Sequence, residues 1–126
     1  MVKASLVDAD VEAGTRVIEA LDKARFPVQA ALWFYLSEPG EWRLLVASPE
    51  VDERGPKKAY THLQSVLARP SVGLSLRDIS LVSPDHDLIR LLSRAISTGP
   101  GISGIRFTAN TVDNVFIEDA YIYRLQ

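Results

Sequence analysis

The chain has 126 residues, 47% of them apolar and 24% charged, with a net charge of −2 and no cysteine. This length and balance suit one globular domain with its own core, and they exclude disulfides, thiolate chemistry and every cysteine-containing metal centre. Charges of both signs are scattered along the sequence, which argues against nucleic acid or an anionic membrane as partner, and the longest apolar run, 30–36, is too short to span a bilayer. The first eight residues lack the apolar stretch of a signal peptide, so a cytoplasmic location is expected. Arginine outnumbers lysine ten to four, a bias common in GC-rich bacterial genomes.

A first helix is expected over 9–25. At 100° per residue, Val11, Val17, Ile18, Leu21 and Ala24 fall on one side, and Glu12, Thr15, Arg16, Glu19, Asp22 and Lys23 on the other. Asp8 or Asp10 can cap its start, and Phe26-Pro27 ends it. Strands 28–37 and 42–48 follow, joined by the turn signal Glu38-Pro39-Gly40-Glu41 and therefore an antiparallel hairpin. A second helix, 56–68, opens on Pro56 and stops at Pro70. A third strand covers 77–82. The third helix, 83–98, buries Leu88, Ile89, Leu92, Ala95 and Ile96, with Ser83 as N-cap and Gly99 as its stop. Strands 102–109 and 115–125 form a second hairpin around Thr111-Val112-Asp113-Asn114. The order is α-ββ-α-β-α-ββ. It predicts a single α/β domain spanning 1–126, three helices on a five-stranded mixed sheet, with crossover helices that let strands two, three and four run parallel.

An apolar run ending in Ser-Pro-acid occurs twice, at 44–50 and at 81–85. Each reads as a buried strand that stops abruptly, because proline cannot donate to a ladder and biases its predecessor toward extended backbone. Parallel strands would gather Ser48, Glu50, Asp52, Glu53, Ser83, Asp85, His86 and Asp87 at one sheet edge, where open α/β sheets place ligands. Asp85 or Asp87 orienting His86 would make a general base, and the acids of the two segments could together hold a divalent cation. Helix capping accounts for the same residue types without chemistry. The ligand-binding candidates are Ser48, Glu50, Asp52, Ser83, Arg90 and Arg94, the two arginines sharing the polar arc of the third helix with His86. His62, at the border of an apolar arc, reads as a rim residue. No metal-ligand or nucleotide motif is present, and no cofactor is expected. The glycine-rich stretch 98–104 leaves a helix and enters a strand, the reverse of a phosphate loop, so it reads as helix termination and a tight turn, with Gly104 marking a bulge or a close backbone approach.

Strands one and five are apolar on both faces. If three helices cover them incompletely, an aromatic patch remains for a partner, with Trp33, Tyr35, Tyr121 and Tyr123 as interface candidates. Alternation in the last strand sends Glu118 and Asp119 to opposite faces, and pairing Asn110 with Asn114 sets Arg106 opposite Glu118 as an ion pair. The leading functional expectation is a non-catalytic interaction module, a homodimer or the partner of another protein. The alternatives are a small hydrolase or phosphoryl-handling enzyme with Asp85, His86 and Asp87 as catalytic candidates, and a small-ligand or nucleotide sensor at the same edge. Convergence of 50–53 and 85–87 on a concave pocket would favour chemistry.

Overall fold

The computed structural model, which describes residues 3–68 and 72–126, is organised around β1 (Ala30–Leu36), the strand with two apolar faces. Such a strand needs cover on both sides, and it lies at the centre of the sheet. β2 (Glu41–Ala47) pairs with it antiparallel on one side and β5 (Val115–Leu125) antiparallel on the other. β3 (Ile79–Val82) lies parallel outside β2, and β4 (Ile105–Val112) lies antiparallel outside β5, so the order is β3-β2-β1-β5-β4. The mixed five-stranded sheet is as predicted, but strand four does not join strands two and three in direction. A tight turn forces β4 against β5, and β5 already runs with β2.

Among the described residues four α-helices cover this sheet. α1 (Asp8–Lys23) and α3 (Pro56–Leu67) bury Val17, Ile18, Leu21, Leu63 and Leu67 against Trp33, Leu44, Val46 and Tyr123 on one face. α4 (Asp87–Ala95) sets Ile89 and Leu92 against Leu32, Leu45, Ala120 and Ile122 on the other. α2 (Glu50–Arg54), little more than one turn, is a fourth helix beyond the three predicted. None of them is long and apolar enough to cross a membrane.

Local chemistry sets the helix ends. Asp10 accepts the Val7 amide at the start of α1 (3.0 Å) and pairs with Lys3 (2.9 Å). At its end Arg25 turns left-handed (φ 61), Phe26 N–H returns to the Leu21 carbonyl (2.9 Å) and Arg25 N–H to that of Asp22 (3.0 Å). That is a Schellman stop, with Phe26 and Leu21 in the same core cluster. The predicted stop of the second helix, Pro70, lies outside the described residues. α4 starts four residues later than predicted, because 83–86 forms a turn closed by His86 N–H on the Ser83 carbonyl (3.0 Å). It ends at Ala95 rather than near Gly99. Ile96 is extended (φ −134), and Thr98 exchanges hydrogen bonds with Leu125: its N–H donates to the Leu125 carbonyl (2.7 Å), and its Oγ1 accepts the Leu125 N–H (2.8 Å).

Two irregularities in β5 decide where its side chains go. Ala31 pairs with Arg124 but Leu32 with Ile122, so Tyr123 is an extra residue. Tyr123 and Arg124 consequently both reach the α1 side: Tyr123 joins Trp33, and the buried Arg124 reaches Asp22 (2.8 Å) and the Val28 carbonyl (3.2 Å). Trp33 Nε1 donates to the Tyr123 hydroxyl (3.0 Å), which donates to the Val11 carbonyl of α1 (2.7 Å). Gly14 permits this closeness, since a Cβ there would lie 2.8 Å from Tyr123 Cζ and 3.0 Å from Trp33 Nε1. Gly104 is the predicted close approach, with the Tyr121 hydroxyl 2.5 Å from where its Cβ would be.

The second irregularity is at Ala109 (φ 50), which drops out of the β4–β5 ladder opposite Glu118. Glu118 and Asp119 therefore line one groove with Tyr35, Trp42 and Arg106 instead of facing opposite ways. The turn is the two-residue Asp113-Asn114, both at positive φ, which pairs Val112 with Val115 and moves the register from the predicted one. Arg106 consequently binds Asp119 through two hydrogen bonds (2.7 and 2.6 Å), while Glu118 accepts from Ser37 (3.0 Å).

Candidate functional site

β2, β3 and β5 all end at one edge of the sheet, and the two Ser-Pro-acid segments sit there with the same backbone solution. Ser48 Oγ accepts the Glu50 amide (3.2 Å), and Ser83 Oγ accepts the Asp85 amide (3.0 Å). In each, a serine hydroxyl closes a turn onto the residue two ahead, as serine does where a strand ends. Ser48 is fully buried, and its amide bonds the Val82 carbonyl (3.0 Å). A side-chain hydrogen bond, Ser83 Oγ to Asp52 Oδ2 (2.8 Å), joins the two segments as well.

That contact does not enclose a pocket of the predicted kind. Asp85, His86 and Asp87 are all exposed. His86 is the N-cap of α4, its Nδ1 accepting the Leu88 amide (3.2 Å), so this nitrogen holds the helix start in the role assigned to Ser83. Arg90 is exposed, and Arg94 pairs with Asp113 of the hairpin turn in an exposed ion pair (2.6 Å). Among the described residues no three His, Asp or Glu side chains gather as metal ligands do. The hollow beside this edge, about 330 Å³, is lined by Pro27, Val28, Gln29, Pro49 and Gln126, with no ionisable side chain.

One acid of the edge is different. Glu50 is only 6% exposed, and both its oxygens lie 2.9 Å from His62 Nδ1, while Arg54 Nε approaches Oε1 at 3.4 Å. The His62 ring packs against Phe26 with centroids 5.0 Å apart. His62 is thus a member of a carboxylate–histidine pair, not a plain rim residue. Twelve residues separate the two in sequence, and Gly55-Pro56 turns α3 back over α2 to join them. The only signal in the sequence was a histidine at the border of an apolar arc.

The aromatic candidates divide. Trp33 and Tyr123 are buried beneath α1, so neither offers surface to a partner in the folded chain. Burial without a charge-accepting partner also pushes the Tyr123 phenol far above its ordinary pKa, against the smaller opposing effect of the Trp33 hydrogen bond. Tyr35 and Tyr121 are half-buried. Tyr35 lies tilted against Trp42 (centroids 5.4 Å, 56°) in the groove with Arg106, whose guanidinium stands 5.5 Å from the Trp42 ring. The Arg106 hydrogen bonds hold Asp119 below the usual carboxylate range and raise Arg106 in turn, partial burial opposing both.

The most exposed large apolar side chain among the described residues lies elsewhere, on the β4–β5 hairpin. β1 pairs with β5 only from Ala120 onward, so 115–119 stand beyond the central strand with β4 as their sole strand neighbour. Val112 and Ile117 are buried there, but Val115 is 47% and Phe116 62% exposed. The chain matches no known protein family, and neither a curated protein nor a solved structure is significantly similar to it.

Proposed function

We propose that the protein is a non-catalytic, self-associating module whose β4–β5 hairpin packs against the same hairpin of a second copy. The observation that carries this reading is Phe116, 62% exposed on an arm standing beyond the central strand. Large exposed aromatics are uncommon on surfaces that meet only water and are preferred anchors in interfaces. The occupant follows from charge and symmetry. From Phe107 to Val112 the open strand carries no ionisable residue, so a second copy brings no like charge to it, and a twofold arrangement needs only one self-complementary patch. The interruption at Ala109 limits continuous edge-to-edge pairing, which favours a closed dimer over an open-ended ladder. A bacterial source, on the arginine bias, and a cytoplasmic setting belong to the same reading.

Sedimentation equilibrium at micromolar concentration tests it. Wild type is expected at twice the 13.9 kDa chain mass. Phe116→Asp is expected to sediment as a monomer, its dissociation constant raised roughly thirtyfold or more, and to change monomer stability by no more than about 0.5 kcal/mol. A monomeric wild type, or an unchanged dimer in Phe116→Asp, overturns the proposal.

A further inference from the structure

A groove of about 570 Å³ runs over the junction of α2 and α3. It is lined by Arg54, Lys57, Lys58, Thr61, His62 and Ser65. Three cations are drawn together there on a chain whose net charge is −2. The carboxylate that touches this group is Glu50, buried behind His62 and contacting Arg54, while Lys57 and Lys58 form no ion pair among the described residues. A shallow, open hollow with three cations on an otherwise acidic protein attracts anions, and its volume lies in the range of small-molecule sites.

His62 adds direction to that charge. A carboxylate only accepts hydrogen bonds, so Nδ1 facing Glu50 carries the proton, and in the neutral ring Nε2 presents a lone pair. Among the described residues Nε2 has no hydrogen-bond partner and no buried polar side-chain atom is left unpaired, so Nε2 is open to solvent on the groove side. Glu50 on one edge of the ring and Phe26 on its face fix its orientation before any ligand arrives.

We propose that this groove binds a small phosphorylated metabolite carrying a hydroxyl near its phosphate, with Arg54, Lys57 and Lys58 facing the phosphate oxygens and His62 Nε2 accepting the hydroxyl hydrogen. Glu50 acts through His62 and is a positioning residue. The hydroxyl gives the site selectivity beyond charge, because a preset acceptor discriminates where a flexible ammonium does not. This site is independent of hairpin self-association, which sedimentation reads separately.

Calorimetric titration of the intact protein with ribose 5-phosphate, inorganic phosphate and ribose tests the proposal. Ribose 5-phosphate is expected to bind most tightly, phosphate more weakly, and ribose not at all. Lys57→Glu with Lys58→Glu, both on exposed positions, is expected to weaken both phosphate-bearing probes by about tenfold or more. His62→Phe is expected to reduce ribose 5-phosphate to the affinity of inorganic phosphate and to leave the latter unchanged. Wild type that binds neither phosphate probe at millimolar concentration, or the double lysine variant binding as wild type does, overturns the site. Equal affinities for ribose 5-phosphate and phosphate in wild type overturn the role given to His62. The lysine variants decide the matter even if changes at buried Glu50 fail to fold.

Discussion

Under α1 the sheet is closed by a helix of 16 residues held by directional bonds. Trp33, the Tyr123 hydroxyl and the Val11 carbonyl form one chain of donors and acceptors, and Gly14 lets the helix backbone sit directly upon it. Under α4 the cover is a helix of 9 residues whose buried contacts, Ile89 and Leu92, are aliphatic and impose no direction. There the cross-strand row Phe34–Ala120–Phe107 keeps both phenylalanines half-buried, and in the hairpin beyond it Val115, the partner of buried Val112, is 47% exposed. The difference shows how one sheet serves two purposes. The face with polar pairing fixes a unique arrangement, because a half-satisfied buried network costs more than an apolar one. The face with short cover leaves apolar surface for contact.

Substitutions can break this contrast, and the largest effect is expected at Gly14. Alanine raises intrinsic helix propensity by about 1 kcal/mol, but its methyl would collide with the Tyr123 hydroxyl and ring. Overpacking of this kind costs roughly 1–3 kcal/mol, and displacement of two buried hydrogen bonds adds to it. Gly14→Ala is therefore expected to destabilise by about 2–3 kcal/mol, read as a lowered urea midpoint. A stabilised variant would mean that α1 slides freely, and the contrast between the faces would fail.

Tyr123→Phe is expected next, at about 1–2 kcal/mol, because it strands the Trp33 N–H and removes the donor to Val11. Its pH signature is more specific. Burial raises the Tyr123 pKa in the folded chain, whereas the unfolded phenol loses its proton near pH 10. The folded state then holds more protons, so stability is intact below about pH 10 and falls as pH rises beyond it. Urea titrations of the two proteins from pH 9 to 11 are expected to show a shallower alkaline decline in Tyr123→Phe.

The smallest effect is expected on the exposed hairpin. Asp119 is held below its ordinary pKa by Arg106, so its contribution is present above about pH 4 and is lost as pH falls through the lower folded value. The pair is substantially exposed, and screening limits Asp119→Asn to less than about 1 kcal/mol at neutral pH. The difference from wild type should shrink in acid and in high salt. A loss as large as that at Gly14 would show that the hairpin is as tightly specified as the α1 face.

How far the sequence carries can be followed residue by residue. The 3.6-residue spacing of Val11, Val17, Ile18 and Leu21 and the double-faced apolarity of β1 are local patterns, and they placed the helices and the central sheet. Helix limits were harder where a side chain chooses between neighbouring backbone groups. Ser83 closes a turn onto Asp85, and His86 takes the cap, an outcome that depends on Asp52 reaching Ser83 from another element. The register of the last hairpin depended on whether its turn holds two residues or more, and that choice moved the Arg106 pairing from Glu118 to Asp119. Glu50 was legible as an acid at the strand ends, but its burial and its grip on His62 arise only when α3 folds back over α2. No local pattern encodes that.

β1 and β5 are neighbours at the centre of the sheet, yet Trp33 and Tyr123 are 90 residues apart in the chain. During synthesis, β1 and its hairpin partner β2 emerge long before β5, so one flank of the most apolar strand stays open while most of the domain is made. Contacts of such sequence separation form slowly, and an apolar edge left open is a template for wrong pairing. The hydrogen bonds that clasp Leu125 to Thr98 and Gln126 to Gln29 close that interval. The arrival of β5, more than the collapse of the helices, is therefore expected to be the step at which a nascent chain is committed to this fold.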